Sequence, residues 1–294
     1  MKLNIAMLGT GRIAINKLLP ALQKSANAQL WSVLSRDVER ANTIARDFNA
    51  HSPTPGYSEL DLLLADPQLD AVIIATPDKL HAQQAIAAAK AGKHVFCEKP
   101  MTTSIEDAKA MIAACEEMGV KLGVAFHLRW HAGHRPLHQA VRNGFLGNLQ
   151  HMRVQWSFMA PDDTNWRADS DVGKWWALAG VGTHCLDQIL WFMQPLCGDV
   201  VEQKSIISRD KWKGPHDETA LINFKFESGA TAELCSSVLF SAPTQFEIYG
   251  DTGYARGEDS VAITGEGKCG RMKVTGTSRR LIPINWKLRI LRMQ

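Results

Sequence analysis

Short apolar runs alternate with helical segments along roughly the first 120 residues of the chain. Because hydrophobic periodicity separates strands from helices, the runs predict five strands, at Asn4–Leu8, Gln29–Ser35, Asp70–Thr76, His94–Cys97 and Lys121–Ala125. Between them lie helical stretches such as Ala82–Ala91, which ends at Gly92, and the one that Ser104 caps and that ends at Gly119. The alternation predicts α/β architecture, with a doubly wound parallel sheet of the Rossmann type over residues 1–124.

The pattern changes after about residue 125. An amphipathic helix near 135–143 is followed by long strands of alternating polarity, at 150–158, 199–208, 218–226, 230–240 and 244–249, with a helix at Gln188–Met193. This pattern predicts a second, α+β domain over residues 125–294, with a large open mixed sheet.

The first apolar run leads directly into Gly9, Thr10, Gly11, Arg12, Ile13 and Ala14, which together read G-x-G-x-x-A. A glycine at the first position permits a sharp turn, a glycine at the third permits close backbone approach to a pyrophosphate, and the helix start offers free N–H groups. We predict that Gly9 to Ile13 bind a dinucleotide. The alternative is an ordinary tight turn between a strand and a helix.

The end of the second strand indicates which dinucleotide binds. NAD-selective sites carry an acidic residue there, which binds the ribose 2′-hydroxyl. Here Ser35 and Arg36 stand at that position, and a hydroxyl with a guanidinium suits a 2′-phosphate. Asp37 reads as the cap of the following helix, Val38–Phe48. The sequence therefore favours NADP over NAD.

Two further segments follow predicted strands, at the edge where open α/β sheets bind ligands. Thr76 and Pro77 with His81 form one, and Glu98-Lys99-Pro100 forms the other. We predict that these residues contact the cofactor. A lysine beside a cofactor can transfer protons when its pKa is lowered, so Lys99 is a catalytic candidate. The alternative is a surface lysine before a turn.

A glycine-rich stretch, Gly180-Val181-Gly182-Thr183, presents His184 at the start of a predicted helix. Histidine titrates near neutrality and can donate to or accept from a substrate oxygen, so His184 is the second catalytic candidate. A capping or core histidine is the alternative.

Composition limits the other classes of function. The 294 residues are 45% hydrophobic and carry a formal charge of +3, and no apolar run approaches the roughly 20 residues that span a bilayer. Seven basic residues and no acid fall within 271–294, which we interpret as a solvated terminal strand rather than a nucleic-acid or membrane site. The six cysteines lack disulfide or metal-site spacing. We expect a cytoplasmic protein without a metal, whose partner is a small molecule.

The three motifs in this order resemble the Gfo/Idh/MocA family of oxidoreductases. The segment Phe126-His127-Leu128-Arg129, followed by His131 and His134, is most similar to the branch containing 1,5-anhydro-fructose reductase. The resemblance implies hydride transfer between a nicotinamide and a sugar or polyol, with Lys99 and His184 as the catalytic pair. It also implies that the second domain, residues 125–294, serves substrate binding and dimerisation through its open sheet, and that the protein is a homo-oligomer, either a dimer or a tetramer.

The sequence departs from this family at Gly180, where most members carry an Asp four residues before the histidine, and at Lys174-Trp175-Trp176, which replaces glycines. The tryptophans suit either a sugar pocket or a core. The leading hypothesis is an NADP-dependent reductase of a sugar-like carbonyl. In it, the substrate side is lined by His127, Arg129, Trp166, Arg167 and Thr183. A dinucleotide-binding sensor that has lost turnover, and a cofactor-using enzyme without net redox chemistry, are the alternatives.

Overall fold

The structure, a computed structural model, describes residues 2–164, 174–261, 268–275 and 278–282. The chain divides into two compact units, Met1–Ala125 and the residues from Phe126 onward. Each unit has its own hydrophobic core and is described separately below.

The first unit contains a six-stranded parallel sheet in the order β3-β2-β1-β4-β5-β6. Its strands are β1 (Leu3–Leu8), β2 (Ala28–Leu34), β3 (Gly56–Tyr57), β4 (Ala71–Ile74), β5 (His94–Cys97) and β6 (Leu122–Val124). All four residues of β4 are buried, as its uninterrupted apolar run predicts. The strand order reverses between β1 and β4, and this is the doubly wound topology that the alternating pattern predicts.

Helices cover both faces of this sheet. They are α1 (Leu19–Gln23, preceded by wider turns over Ala14–Leu18), α2 (Val38–Asp47), α3 (Leu60–Leu64), α4 (His81–Lys90) and α5 (Ile105–Glu117). In β1 the side chains of Ala6 and Leu8 pack in one core cluster and that of Met7 in another, since successive strand residues point to opposite faces. The short elements β3 and α3 are absent from the sequence prediction.

The second unit contains an eight-stranded sheet in the order β14-β13-β12-β11-β7-β10-β9-β8. The strands are β7 (Leu149–Ser157), β8 (Val200–Ser208), β9 (Thr219–Phe226), β10 (Thr231–Ser237), β11 (Gln245–Gly250), β12 (Gly253–Glu258), β13 (Lys268–Thr275) and β14 (Ser278–Ile282). Strands β7 and β10 pair in parallel and the other neighbours are antiparallel, so the sheet is mixed. The fold class is therefore confirmed.

Two helices, α6 (His134–Arg142) and α7 (Thr183–Cys197), pack with this sheet through a core that includes Leu137, Val154, Ile189 and Phe192. Helix α7 is longer than predicted: it begins at Thr183, directly after wider helical turns over Leu178–Gly182 that carry the glycines, and it ends at Cys197. The predicted strand at 230–240 ends earlier, at Ser237. Strands β12, β13 and β14 were not predicted, and the last two contain part of the basic segment whose final residues lie outside the described chain.

The five cysteines whose side chains are described are free thiols, and Cys97, Cys115, Cys185 and Cys197 are buried, as predicted for small apolar side chains. Burial raises the pKa of the Cys97 thiol to about 12. Among the described residues, no helix is long and apolar enough to cross a membrane. Within the same residues, no three His, Cys, Asp or Glu side chains are grouped so that they could hold a metal ion.

Candidate functional site

The residues predicted to bind the cofactor follow four neighbouring strands of the first unit. Gly9 to Ile13 follow β1, Ser35 and Arg36 follow β2, Thr76 and Pro77 follow β4, and Glu98 and Lys99 follow β5. Because these strands are parallel and adjacent, the segments lie at one edge of the sheet. This is the carboxyl edge, at the point where the strand order reversal opens a crevice in doubly wound folds.

Two glycines in the loop after β1 are needed for different reasons. Gly9 has a φ of +102°, and a Cβ there would lie 2.6 Å from the carbonyl oxygen of Ala75, so the fold itself excludes a side chain. A Cβ at Gly11 would meet nothing within 4 Å. The requirement for glycine at position 11 therefore does not come from the protein's own packing. An exposed loop before a helix start, open above Gly11, fits a pyrophosphate group.

The end of β2 is held by hydrogen bonds to the same loop. The hydroxyls of Ser35 and Thr10 are 3.4 Å apart. Arg40 donates from Nε to the Thr10 Oγ1 at 2.9 Å and from Nη2 to the Thr10 carbonyl at 2.9 Å. The Asp37 carboxylate caps α2 by accepting from the backbone N–H groups of Glu39 and Arg40, as predicted.

Sequence reasoning missed Arg40. The available signal is its position in the first turn of α2, where acidic residues are preferred because of the helix dipole. A basic side chain in that turn calls for another explanation, and its contact with the glycine loop supplies one. Both Arg36 and Arg40 are exposed.

His81 does not have the surface position expected of a cofactor ligand. The residue is fully buried, with Nδ1 2.9 Å from the carbonyl oxygen of Pro100 and Nε2 3.0 Å from that of Thr76. Both ring nitrogens are thus engaged inside the protein. We correct the prediction of direct cofactor contact: the ring connects two of the edge segments.

Lys99 comes directly after Glu98, the residue that makes the last sheet hydrogen bond at the end of β5. The Glu98 N–H donates to the carbonyl of Ile74 at 2.9 Å, and the Lys99 N–H donates to the Glu98 carboxylate at 3.2 Å. The peptide bond between Lys99 and Pro100 is cis. Lys99 is half-buried at the carboxyl edge, which is the environment that its predicted role requires.

In the second unit, the structure brings His184 and His127 together. Their ring centroids are 4.7 Å apart in an edge arrangement, and the Trp156 ring stacks on His184 at 5.1 Å. His184 is only 3% exposed, and the neighbouring Thr183 is half-buried at the start of α7. The two histidines therefore form an aromatic cluster with Trp156 against the first turn of α7.

Arg129, predicted to line the substrate side, is paired with Asp187. Its Nε lies 3.0 and 3.1 Å from the two carboxylate oxygens, and its Nη2 lies 2.6 Å from Oδ1. Burial raises the pKa of the Asp187 carboxyl, and the adjacent guanidinium opposes that shift. Asp187 is thus occupied by Arg129, which holds the 127–130 turn against α7. A substrate contact by Arg129 stays a prediction.

The residues before His184 explain how its helix is positioned. Asp217, which is fully buried, accepts hydrogen bonds from the backbone N–H groups of Trp176 and Leu178. A Cβ at Gly182 would lie 2.7 Å from the Ser236 hydroxyl oxygen, so close packing on β10 requires glycine there. At Gly180, however, a Cβ would meet nothing within 4 Å. The position that carries Asp in most relatives can therefore accept a side chain.

The two tryptophans before this helix have different environments. Trp176 is 2% exposed and stacks on Trp212 at 5.2 Å, so it belongs to the core. Trp175 is exposed, with the Arg209 guanidinium 5.8 Å from its ring centre. Trp166 and Arg167, predicted to line the substrate side, lie outside the described residues.

Comparison with known proteins is consistent with this geometry. Residues 3–126 match the model described as "Oxidoreductase family, NAD-binding Rossmann fold" of the Gfo/Idh/MocA proteins, and residues 134–256 match the Gfo/Idh/MocA C-terminal domain. The chain is 28% identical to a 1,5-anhydro-D-fructose reductase of Ensifer adhaerens, over 84% of this chain and 73% of that protein. It is 34% identical to D-xylose 1-dehydrogenase (NADP(+)) 2 of Haloferax volcanii, over 82% of this chain and 70% of that protein.

Among solved structures, an aldose-aldose oxidoreductase from Caulobacter crescentus, complexed with glycerol, superposes with a TM-score of 0.86 at 25% identity. The superposition covers 97% of this chain and 84% of the other. Both family models together match most of the chain, and the edge of the parallel sheet carries the glycine loop that such proteins need. The chain therefore belongs to the Gfo/Idh/MocA family of oxidoreductases.

Proposed function

We propose that this protein is an NADP-dependent reductase of a small, sugar-like carbonyl compound. The observation that carries the proposal is the convergence of the glycine loop, the Ser35 hydroxyl and Lys99 at the carboxyl edge of one parallel sheet. The named sugar substrates of its relatives support the choice of substrate class.

The preference for NADP rests on the charges around the end of β2. Asp37, the nearest acidic side chain after β2, is engaged as a helix cap and is not available to a ribose 2′-hydroxyl. Ser35 and Thr10 present hydroxyls, while Arg40 is bonded beside them and Arg36 is exposed. Two guanidiniums and two hydroxyls match the charge and acceptor atoms of a 2′-phosphate.

Proton transfer is assigned to Lys99. When bound, the reduced nicotinamide supplies the hydride that adds to the carbonyl carbon of the substrate. The Lys99 ammonium donates its proton to the carbonyl oxygen, so that the product is the alcohol and the lysine is left neutral. In the second unit, the His184 ring contacts the rings of His127 and Trp156. His184 is assigned to orient the substrate oxygen.

A homo-oligomer is the expected assembly, and the outer face of the second sheet supplies an interface. Ile206 and Leu221 are paired across β8 and β9 and are 71% and 41% exposed. Nearby on the sheet, Arg153 forms ion pairs with Glu233 and Glu247. A second copy of the chain would bury the apolar pair within this charged surface.

The test of the proposed function is NADPH consumption with a panel of sugar carbonyls, run in parallel with NADH. We expect turnover of at least one ketose or anhydro-ketose, with NADPH preferred. Tight NADPH binding without turnover of any carbonyl would favour the alternative, a dinucleotide-binding sensor. Sedimentation of the wild type and of Ile206→Glu checks the oligomer, which the variant should weaken.

A further inference from the structure

A buried histidine links two of the segments that follow the parallel strands. His81 begins α4, is fully buried, and has one ring nitrogen 2.9 Å from the Pro100 carbonyl oxygen and the other 3.0 Å from the Thr76 carbonyl oxygen. Whichever nitrogen carries the proton, at least one of these carbonyls receives an N–H. A neutral ring donates to one carbonyl and contacts the other, and only a doubly protonated ring donates to both. These two contacts, which join the end of β4 to the segment after β5, are called the bridge below.

The bridge holds the backbone on the carboxyl side of Lys99. Pro100 has no backbone N–H, so its carbonyl is the only backbone group of this residue that can form a hydrogen bond. On the other side of Lys99, the Glu98 N–H is fixed to the Ile74 carbonyl in the sheet. Lys99 thus lies between a sheet hydrogen bond and the bond to His81.

The Thr76 end of the bridge is fixed in the same way. The N–H of Ala75 donates to the Leu8 carbonyl at 2.8 Å, and the Thr76 hydroxyl donates to the Gln84 side chain at 2.7 Å. Gln84 lies one turn after His81 in α4, so the first turns of one helix hold the Thr76 segment at two points. Helix α4 is itself packed in the core through Ala82, Ala85 and Ala88.

From this geometry we propose that His81 is a positioning residue, which fixes the backbone of Lys99 relative to the Thr76 segment and thereby sets the place of the lysine ammonium. The inference rests on the proposed function, because it assigns a position to the proton donor of that reaction. Misplacing a reacting group by about 1 Å lowers rates by about 100-fold in well-studied enzymes. Loss of the bridge should therefore lower turnover more than it lowers binding.

The experiment compares His81→Phe, which keeps a ring and removes both polar nitrogens, with His81→Gln, which keeps a donor. We expect kcat for carbonyl reduction to fall by about 10- to 100-fold in His81→Phe, with the NADPH Kd changed less than about threefold. His81→Gln should recover part of kcat. His51→Gln, at an exposed histidine in the same unit, is the matched control and should behave as the wild type.

Amide hydrogen exchange supplies the second readout. Faster exchange over residues 98–103 is expected in the cofactor-free His81→Phe protein and not in His51→Gln. A folded His81→Phe with wild-type kcat and wild-type exchange overturns the proposal. If His81→Phe does not fold, His81→Asn replaces it in the test, because the Asn side chain is too short to reach both carbonyls. Wild-type kcat and wild-type exchange in His81→Asn would also overturn the proposal. Should the wild type reduce no carbonyl, the proposed function fails, while the exchange comparison still tests the bridge.

Discussion

Position 180 offers a direct test of the role proposed for His184. The family resemblance implies an Asp there, four residues before His184, whereas this chain carries Gly180. A Cβ at that position meets nothing within 4 Å, so Gly180→Asp should fold. Gly180 lies in the wider helical turns Leu178–Gly182 that precede α7. Replacing glycine by aspartate in helical backbone should change the free energy of unfolding by only a few tenths of a kcal/mol, in the stabilising direction.

The expected electrostatic effect is much larger. Side chains four residues apart on a helix lie about 6 Å from each other. At an effective dielectric constant of about 20, which suits the nearly buried His184, one charge pair at that distance is worth about 2.8 kcal/mol. A carboxylate at that distance favours the charged imidazolium, so Gly180→Asp should raise the pKa of His184.

NMR titration of the histidine Cε1–H groups measures this shift, with His184→Gln used to assign the resonance. Gly180→Asn is the matched control, because it adds almost the same atoms without the charge and should leave the pKa of His184 unmoved. If the pKa of His184 is the same in the wild type, Gly180→Asn and Gly180→Asp, the reasoning is refuted. That result would mean that the new carboxylate lies away from the imidazole.

The same variants test the proton donor. If Lys99 alone delivers the proton, the wild type should reduce carbonyls faster than it oxidises alcohols near neutral pH. Gly180→Asp should then leave reduction intact or assist oxidation, because the carboxylate adds a base beside His184. A wild type that runs both directions equally fast, with no change in the Asp variant, contradicts a reductase that depends on the lysine alone.

Three further outcomes are expected. Lys99→Met should cut turnover by roughly 100-fold or more and leave the NADPH Kd nearly unchanged; wild-type turnover would make the lysine structural. Arg36→Ala should remove most of the preference for NADPH over NADH, on the order of 1.5–3 kcal/mol, as measured by fluorescence titration of both cofactors; equal affinities in the unmutated protein would contradict the assignment. Burial lowers the pKa of His134 from 6.5 to about 3, so between these values the unfolded chain binds a proton that the folded chain does not. The free energy of unfolding should therefore fall as the pH drops below 6.5, by about 2 kcal/mol at pH 5, and His134→Gln should flatten this part of a denaturation series; an unchanged slope would argue against the burial effect.

Local patterns account for much of the first unit. The buried run that became β4 and the caps at Asp37 and Ser104 were all predicted. The glycine after α4 was also predicted, and Gly92 has a φ of +73°, which few other residues adopt. Each of these depends on neighbours within a few residues, so the sequence alone carries the signal. The two-residue strand β3 left no such signal, because it exists only by pairing with β2.

The candidate site was predictable wherever a motif stands next to a strand end. Gly9, Ser35, Thr76 and Lys99 were identified in this way, since parallel strands bring their carboxyl ends to one edge. The contact of Arg40 with Thr10 joins residues 30 apart in the sequence. No periodicity reports which face of α2 meets the glycine loop, and the arginine was therefore missed.

Sequence alone thus established the family, the parallel sheet and the segments at its edge, because short-range patterning and motif spacing encode them. The partners of the buried polar groups were settled by folding. The His81 ring contacts the carbonyl oxygens of Thr76 and Pro100, and Arg129 bonds to Asp187 across 58 positions. A buried polar atom must find a partner, but which one it finds depends on how distant elements pack, and hydrophobic patterning does not specify that choice.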